Sequence, residues 1–343
     1  MNIKNLLGFL VLTIFLACEE NIKHTESEEL GNWILESYFE GNKREGAVAF
    51  VLNETAYYGM GWNSSYKDNK YMNDFWKYSG EMNWEEVDTF PGQPRSGVFF
   101  FSLNNKGYCG GGNISDTTQY TFFSDIWEFN PLQPKGKQWS LLDVQIPDSG
   151  YAGSGAFTIG DNAYIYGGLK SDSSISSKCF RFNPIELKFH EMNDLCNKRY
   201  DSFSFVIDNR AYVGAGRSES SKVSSLEMYD PIVDKWEIVK AEGNGSLQIE
   251  ALTRLGTAAF VVNNKGYITG GENDIILDDC WEYDPPKNKW TRMNSFEYRM
   301  SARKFHNSFV MNGNAYVIGG SSERGKLDDV WIFDPLTKEN END

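Results

Sequence analysis

An ungapped eighteen-residue segment returns six times along this chain, opening at positions 44, 95, 151, 199, 254 and 303. It runs from REGAVAFVLNETAYYGMG in the first copy to RKFHNSFVMNGNAYVIGG in the last. A unit repeated at this spacing cannot bury an apolar face alone and folds by stacking on its neighbours, so the repeat constrains the architecture more than composition does. It also sorts the residues. Positions shared by the copies build the fold, and departures from the repeat are particular to this protein.

Six residues into each copy stands a Phe (Phe50, Phe101, Phe157, Phe205, Phe260, Phe309), and thirteen residues in stands a Tyr (Tyr57, Tyr108, Tyr164, Tyr212, Tyr267, Tyr316). Turn chemistry separates them, such as Asn104-Asn105, Gly160-Asp161 and Asn312-Gly313, so each copy reads as a hairpin. The apolar runs are nearly continuous, which predicts sheets covered on both faces. A second hairpin follows. Its first strand carries Asp125-Ile-Trp127, Asp279-Cys-Trp281 or Asp329-Val-Trp331, and its last opens on Trp84, Trp139, Phe189, Trp236 or Trp290.

Four strands per unit, a double Gly and two spaced aromatics resemble the kelch repeat of β-propellers. The resemblance covers residues 32–335 and implies an all-β fold: a six-bladed propeller of four-stranded antiparallel blades. The repeats fall near 44–92, 95–147, 151–195, 199–242, 254–296 and 303–335, with 336–343 as a tail. After Pro335 too few residues remain for a fourth strand in the last blade. Trp33-Ile-Leu-Glu-Ser-Tyr-Phe39 matches the fourth-strand pattern Trp84-Glu-Glu-Val-Asp-Thr-Phe90, so the segment 32–40 is expected to complete that blade and close the ring, removing exposed sheet edges.

Residues 1–17 hold one Lys (Lys4) and an apolar stretch too short to span a membrane, as in a signal peptide. Phe15-Leu-Ala-Cys18 resembles a bacterial lipobox. That implies an acylated Cys18, a polar leash over 18–31 and a domain held at the cell envelope through the lipid anchor alone; the acidic Glu19-Glu20 that follows is similar to surface-export signals of some Gram-negative lipoproteins and points to the outer face of the outer membrane. Cys109 and Cys280 read as buried thiols in strands; Cys179 and Cys196 share a blade, where a disulfide is possible. The formal charge of −15 argues against a nucleic-acid partner.

Five copies open on Arg (Arg44, Arg95, Arg199, Arg254, Arg303) and one on Tyr151. First strands line a propeller's channel, so these guanidiniums are expected to ring its mouth, where their planar forks suit carboxylate or sulfate. Arg here is also common in kelch repeats as a partner for neighbouring carboxylates, and the repeat alone does not decide between the two. The residue after the second Gly differs in every copy: Trp62, Asn113, Leu169, Arg217, Glu272 and Ser321. The long loops that follow in blades one and two add Tyr66, Tyr71, Tyr120, Phe122 and Phe123 outside the repeat. The expected function is a binding module for an anionic glycan or an acidic protein segment, contacted by the five Arg with Tyr151, Trp62 and Arg217.

No cofactor or metal is expected, since His24, His190 and His306 are the only histidines and are scattered. The fold also resembles the kelch mutarotases that interconvert sialic-acid anomers. That resemblance implies Arg residues clamping a carboxylate while Glu272 or His306 moves a proton. A passive scaffold is the third alternative.

Overall fold

The computed structural model describes residues 30–338, except 68–69, 81–82, 116–118, 149, 241–244 and 297–299. The expected leader, Cys18, His24 and most of the leash lie outside the described residues. Six four-stranded antiparallel sheets form the blades of a propeller. Blade one comprises Val48–Leu52, Thr55–Gly59, Phe75–Tyr78 and Trp84–Glu86. The others repeat this order, and blade two adds a short strand, Tyr120–Phe122, paired to its second strand.

The repeat's Phe and Tyr lie directly opposite each other in every inner hairpin. Their rings stack at 5.0 to 5.8 Å between centroids. Such pairs on one face are the unit of sheet stabilisation. The core is distributed between blades. Each apolar cluster joins two neighbouring sheets, as where Phe309, Tyr316 and Ile318 of blade six meet Ala49, Tyr58 and Trp84 of blade one. This accounts for the nearly continuous apolar strands.

Closure follows the sequence expectation. Leu30–Tyr38 pairs antiparallel with Asp329–Lys338, Trp33 lying opposite Phe333 and Ile34 opposite Ile332. Trp33 is 4% exposed, with its ring 4.8 Å from Phe296 and 4.5 Å from Phe333, and its Nε1 donates to the Asn294 carbonyl. Tyr38 lies opposite Asp329 and Leu30 opposite Lys338. Asp329 belongs to the face where the repeats open, so the chain enters its first strand from the other face.

A short helix, Gly245–Leu252, stands between blades four and five and buries Ala251 and Leu252. All four described cysteines are free thiols: Cys179 is buried and Cys196 exposed, so the two form no bridge.

Trp33→Ala removes the largest apolar group of the closing strand. It is expected to cost about 3–5 kcal/mol in urea unfolding. A loss below about 1 kcal/mol would show that closure does not depend on this contact.

Candidate functional site

The structure corrects the expected guanidinium ring. Arg44, Arg95, Arg199, Arg254 and Arg303 are each at most 2% exposed and face into their own blades. In every case Nη1 donates to the carbonyl sixteen residues on: Met60, Gly111, Ala215, Gly270 and Gly319. Each guanidinium also bonds a carboxylate at the head of the third strand. Arg44 reaches Asp74 at 2.7 and 2.6 Å, and Arg254 reaches Asp279 at 2.5 and 2.7 Å. Arg95 pairs with Asp125 in the same way, and Arg303 with Asp329. A Trp two residues past each of these Asp donates its Nε1 to the same carboxylate. Burial pushes the carboxyls of Asp74, Asp125 and Asp329 up. The hydrogen bonds and charge of their Arg partners outweigh it and hold all three below the usual carboxylate value.

Two blades depart from this pattern. In blade four Ser225 stands at the Asp position, and Glu227, at the Trp position, reaches back to Arg199. In blade three both partners change together. Tyr151, 2% exposed, replaces Arg, and Lys178 replaces Asp and turns outward to Glu191 and Asp194. An Arg lost together with its acid marks the pair as one structural unit. The carboxylate in register with Trp was the available sequence signal.

With the guanidiniums withdrawn, backbone forms the mouth. The residues two past the repeat openings carry positive φ: Gly46, Gly97, Gly153, Asp201, Gly256 and Phe305. Their amides link successive blades: Gly153 to the Gly97 carbonyl (2.8 Å), Asp201 to Gly153 (2.8 Å), Gly256 to Asp201 (3.2 Å), Phe305 to Gly256 (2.7 Å) and Gly46 to Phe305 (2.9 Å). This collar requires the left-handed conformation, which glycine adopts without strain. Asp201 (φ 52°) and Phe305 (φ 51°) adopt it with side chains, which costs on the order of 1 kcal/mol or more at each site.

Above the collar lies a cavity of about 230 Å³, lined by Trp62, Tyr200, Phe305 and Leu169, with Glu45, Asp201 and Asn113. Among the described residues the lining holds two carboxylates and no Lys, Arg or His, so its polarity is opposite to the expected one. Glu45 is held by Lys326 at 2.6 Å and by the Ser321 hydroxyl at 2.5 Å. Lys326 also sits 4.8 Å over the Trp62 ring. Asp201 accepts no hydrogen bond through its side chain among the described residues. Burial pushes its carboxyl up to about 7 against the opposing pull of Arg217. Arg217 is exposed beside the mouth, its backbone paired with Tyr200.

Of the loop aromatics, Trp62 lines the mouth, and Phe123 lies under Arg95, 3.6 Å from the guanidinium carbon. Tyr71 accepts from the Ser115 amide and joins the loops of blades one and two. Tyr120 is 63% exposed on the same loop cluster.

The proposed proton carriers are not brought together. Glu272 is paired with Lys304. His306 is 5% exposed and lines a separate cavity deeper in the channel, with Nε2 2.8 Å from the Thr269 hydroxyl. Burial and the Arg303 charge hold its imidazole well below the usual value. Among the described residues no group of three or more His, Cys, Asp or Glu is placed to hold a metal ion.

The family described as the KLHDC2/KLHL20/DRC7 Kelch-repeats domain matches residues 97–320, and the Kelch motif matches 302–339. The chain belongs to the kelch-repeat family. Kelch-like protein 15 of Danio rerio is 28% identical over 204 residues, covering 52% of this chain and 32% of that protein. Its Homo sapiens counterpart is 30% identical over 161 residues, 42% of this chain and 25% of that protein. Alpha-scruin of Limulus polyphemus is 23% identical over 248 residues, covering 66% of this chain and 25% of that protein. The kelch region here thus spans a quarter to a third of these relatives' length. A solved structure titled "Structure of YjhT" superposes with a TM-score of 0.70 at 15% identity, covering 85% of this chain and 95% of that one, and shares the fold.

Within this kelch domain, Arg303→Ala strands the Asp329 carboxylate and is expected to cost about 3–5 kcal/mol. Arg303→Tyr with Asp329→Lys copies blade three and is expected to recover most of that loss in thermal melts. Because the folded Asp carboxyls lie below their unfolded value, their contribution is present above about pH 4 and is lost on acidifying below it. A double variant no more stable than Arg303→Ala would refute the pairing account.

Proposed function

We propose that this kelch propeller is an envelope-tethered protein-interaction module whose mouth face docks a partner segment. The observation that carries the reading is the mouth cavity. It combines collar positions, two of them side chains in left-handed backbone, with positions that differ in every blade, such as Trp62, Asn113 and Leu169. Strain retained at an opening, where glycine serves elsewhere in the same ring, is a mark of function. The volume of about 230 Å³ falls below the ~300–1,000 Å³ of small-molecule clefts, which favours a side chain or chain end inserted from a larger surface. Half-buried Trp62 in the lining, with exposed Tyr120 on the adjoining loop cluster, supplies the kind of anchoring contact typical of such surfaces.

The anionic-glycan, acidic-peptide and sugar-carboxylate readings drew on five guanidiniums that are spent on internal carboxylates, and so lose their support. The tether rests on the Phe15-Leu-Ala-Cys18 sequence. It agrees with the topology, because the chain enters blade six from the face opposite the mouth.

Two measurements test this. Crosslinking in intact cells followed by mass spectrometry is expected to recover partner peptides joined to the mouth-face loops, with recovery falling at least tenfold in Trp62→Ala/Tyr120→Ser. Crosslinks confined to the opposite face would overturn the docking reading. Cys18→Ser is expected to move the protein from the membrane to the soluble fraction and abolish palmitate labelling; retention of both would end the lipoprotein reading.

A further inference from the structure

We infer that the mouth recognises a cationic group of the partner segment, a Lys or Arg side chain or a free amine, with Asp201 as its counter-ion. This rests on the docking reading above and specifies the chemistry of the guest.

Asp201 lies at the collar, where four of the six blades have glycine, and it lines the cavity with no hydrogen-bond donor to its carboxyl among the described residues. Tyr200 and Arg217 are the titratable groups of its own blade beside it. The neighbouring collar positions, Gly153 and Gly256, bring none. Across the cavity Glu45 is already neutralised by Lys326. Burial holds this carboxyl toward its neutral form, up to about 7, against the pull of Arg217, and an arriving cation would restore the ionised form. Trp62, Tyr200 and Phe305 add ring faces, whose quadrupoles attract a desolvated ammonium or guanidinium. The mouth contains an internal example of this chemistry: the Lys326 ammonium lies between the Glu45 carboxylate and the Trp62 ring. On the Asp201 side the nearby cation is the exposed Arg217, which acts on Asp201 and Tyr200 from outside the cavity lining, and a guest cation would enter between the carboxyl and the rings.

Binding of a cation must expel the Asp201 proton, so affinity is expected to rise with pH through neutrality. Between pH 6 and pH 8 the gain is about tenfold.

The test is an NMR titration of the whole soluble domain with acetyl-Gly-Lys-Gly-amide and its Glu and Ala counterparts, read at the Trp62 indole. The Lys peptide alone is expected to shift that signal, more tightly at pH 8 than at pH 6, and Asp201→Asn is expected to remove the preference for Lys while the rest of the spectrum stays folded. Equal shifts from the Ala or Glu peptide, or an unchanged preference in Asp201→Asn, would overturn the cationic guest while leaving the mouth as a docking site. If none of the three peptides shifts the indole, the docking reading and the cationic guest both fail.

Discussion

The structure depends on one buried contact made five times: an Arg from the start of a blade's first strand, bonded to a carboxylate at the head of its third strand and to a carbonyl at the end of its second. The bond network ties three strands together at the face where the blades converge. A guanidinium suits this place because its fork satisfies a carboxylate in two-point contact and still has a donor for the backbone. Burying such a pair adds little over an apolar substitute, but removing one partner is costly, which favours keeping or replacing both together. Blade three, with Tyr151 and Lys178, follows that rule.

Those pairs set the character of the mouth. With guanidiniums drawn into the blades, the opening is formed by backbone in left-handed conformation and by whichever side chains follow it. In most blades that residue is glycine, and five amide-to-carbonyl bonds link neighbours around the collar. Asp201 and Phe305 accept the strain and place a carboxyl and a ring beside Trp62 and Tyr200. An acidic, aromatic opening results on a chain whose repeat suggests a basic one.

Ring closure supplies the remaining constraint. Leu30–Tyr38 completes blade six, and its direction separates the point where the preceding chain arrives from the face that carries the cavity.

The repeat alone determined the blade count, the inner hairpins that carry the Phe and Tyr, and the closing strand around Trp33, because these depend on local periodicity and on nearest-neighbour stacking, both written in residue spacing. The varied positions after the second Gly were also legible as the specific ones, Trp62 among them. Where the Arg side chains pointed was decided only in three dimensions. An Arg at the start of a strand can turn toward the channel or into the sheet. The choice rests on a carboxylate that lies 25 to 30 residues away in four blades, and on a Glu 28 residues away in the other. Asp201 was missed for a related reason. Its significance lies in the left-handed backbone it shares with glycines of other blades and in the missing donor at its carboxyl, and both arise from how neighbouring blades meet.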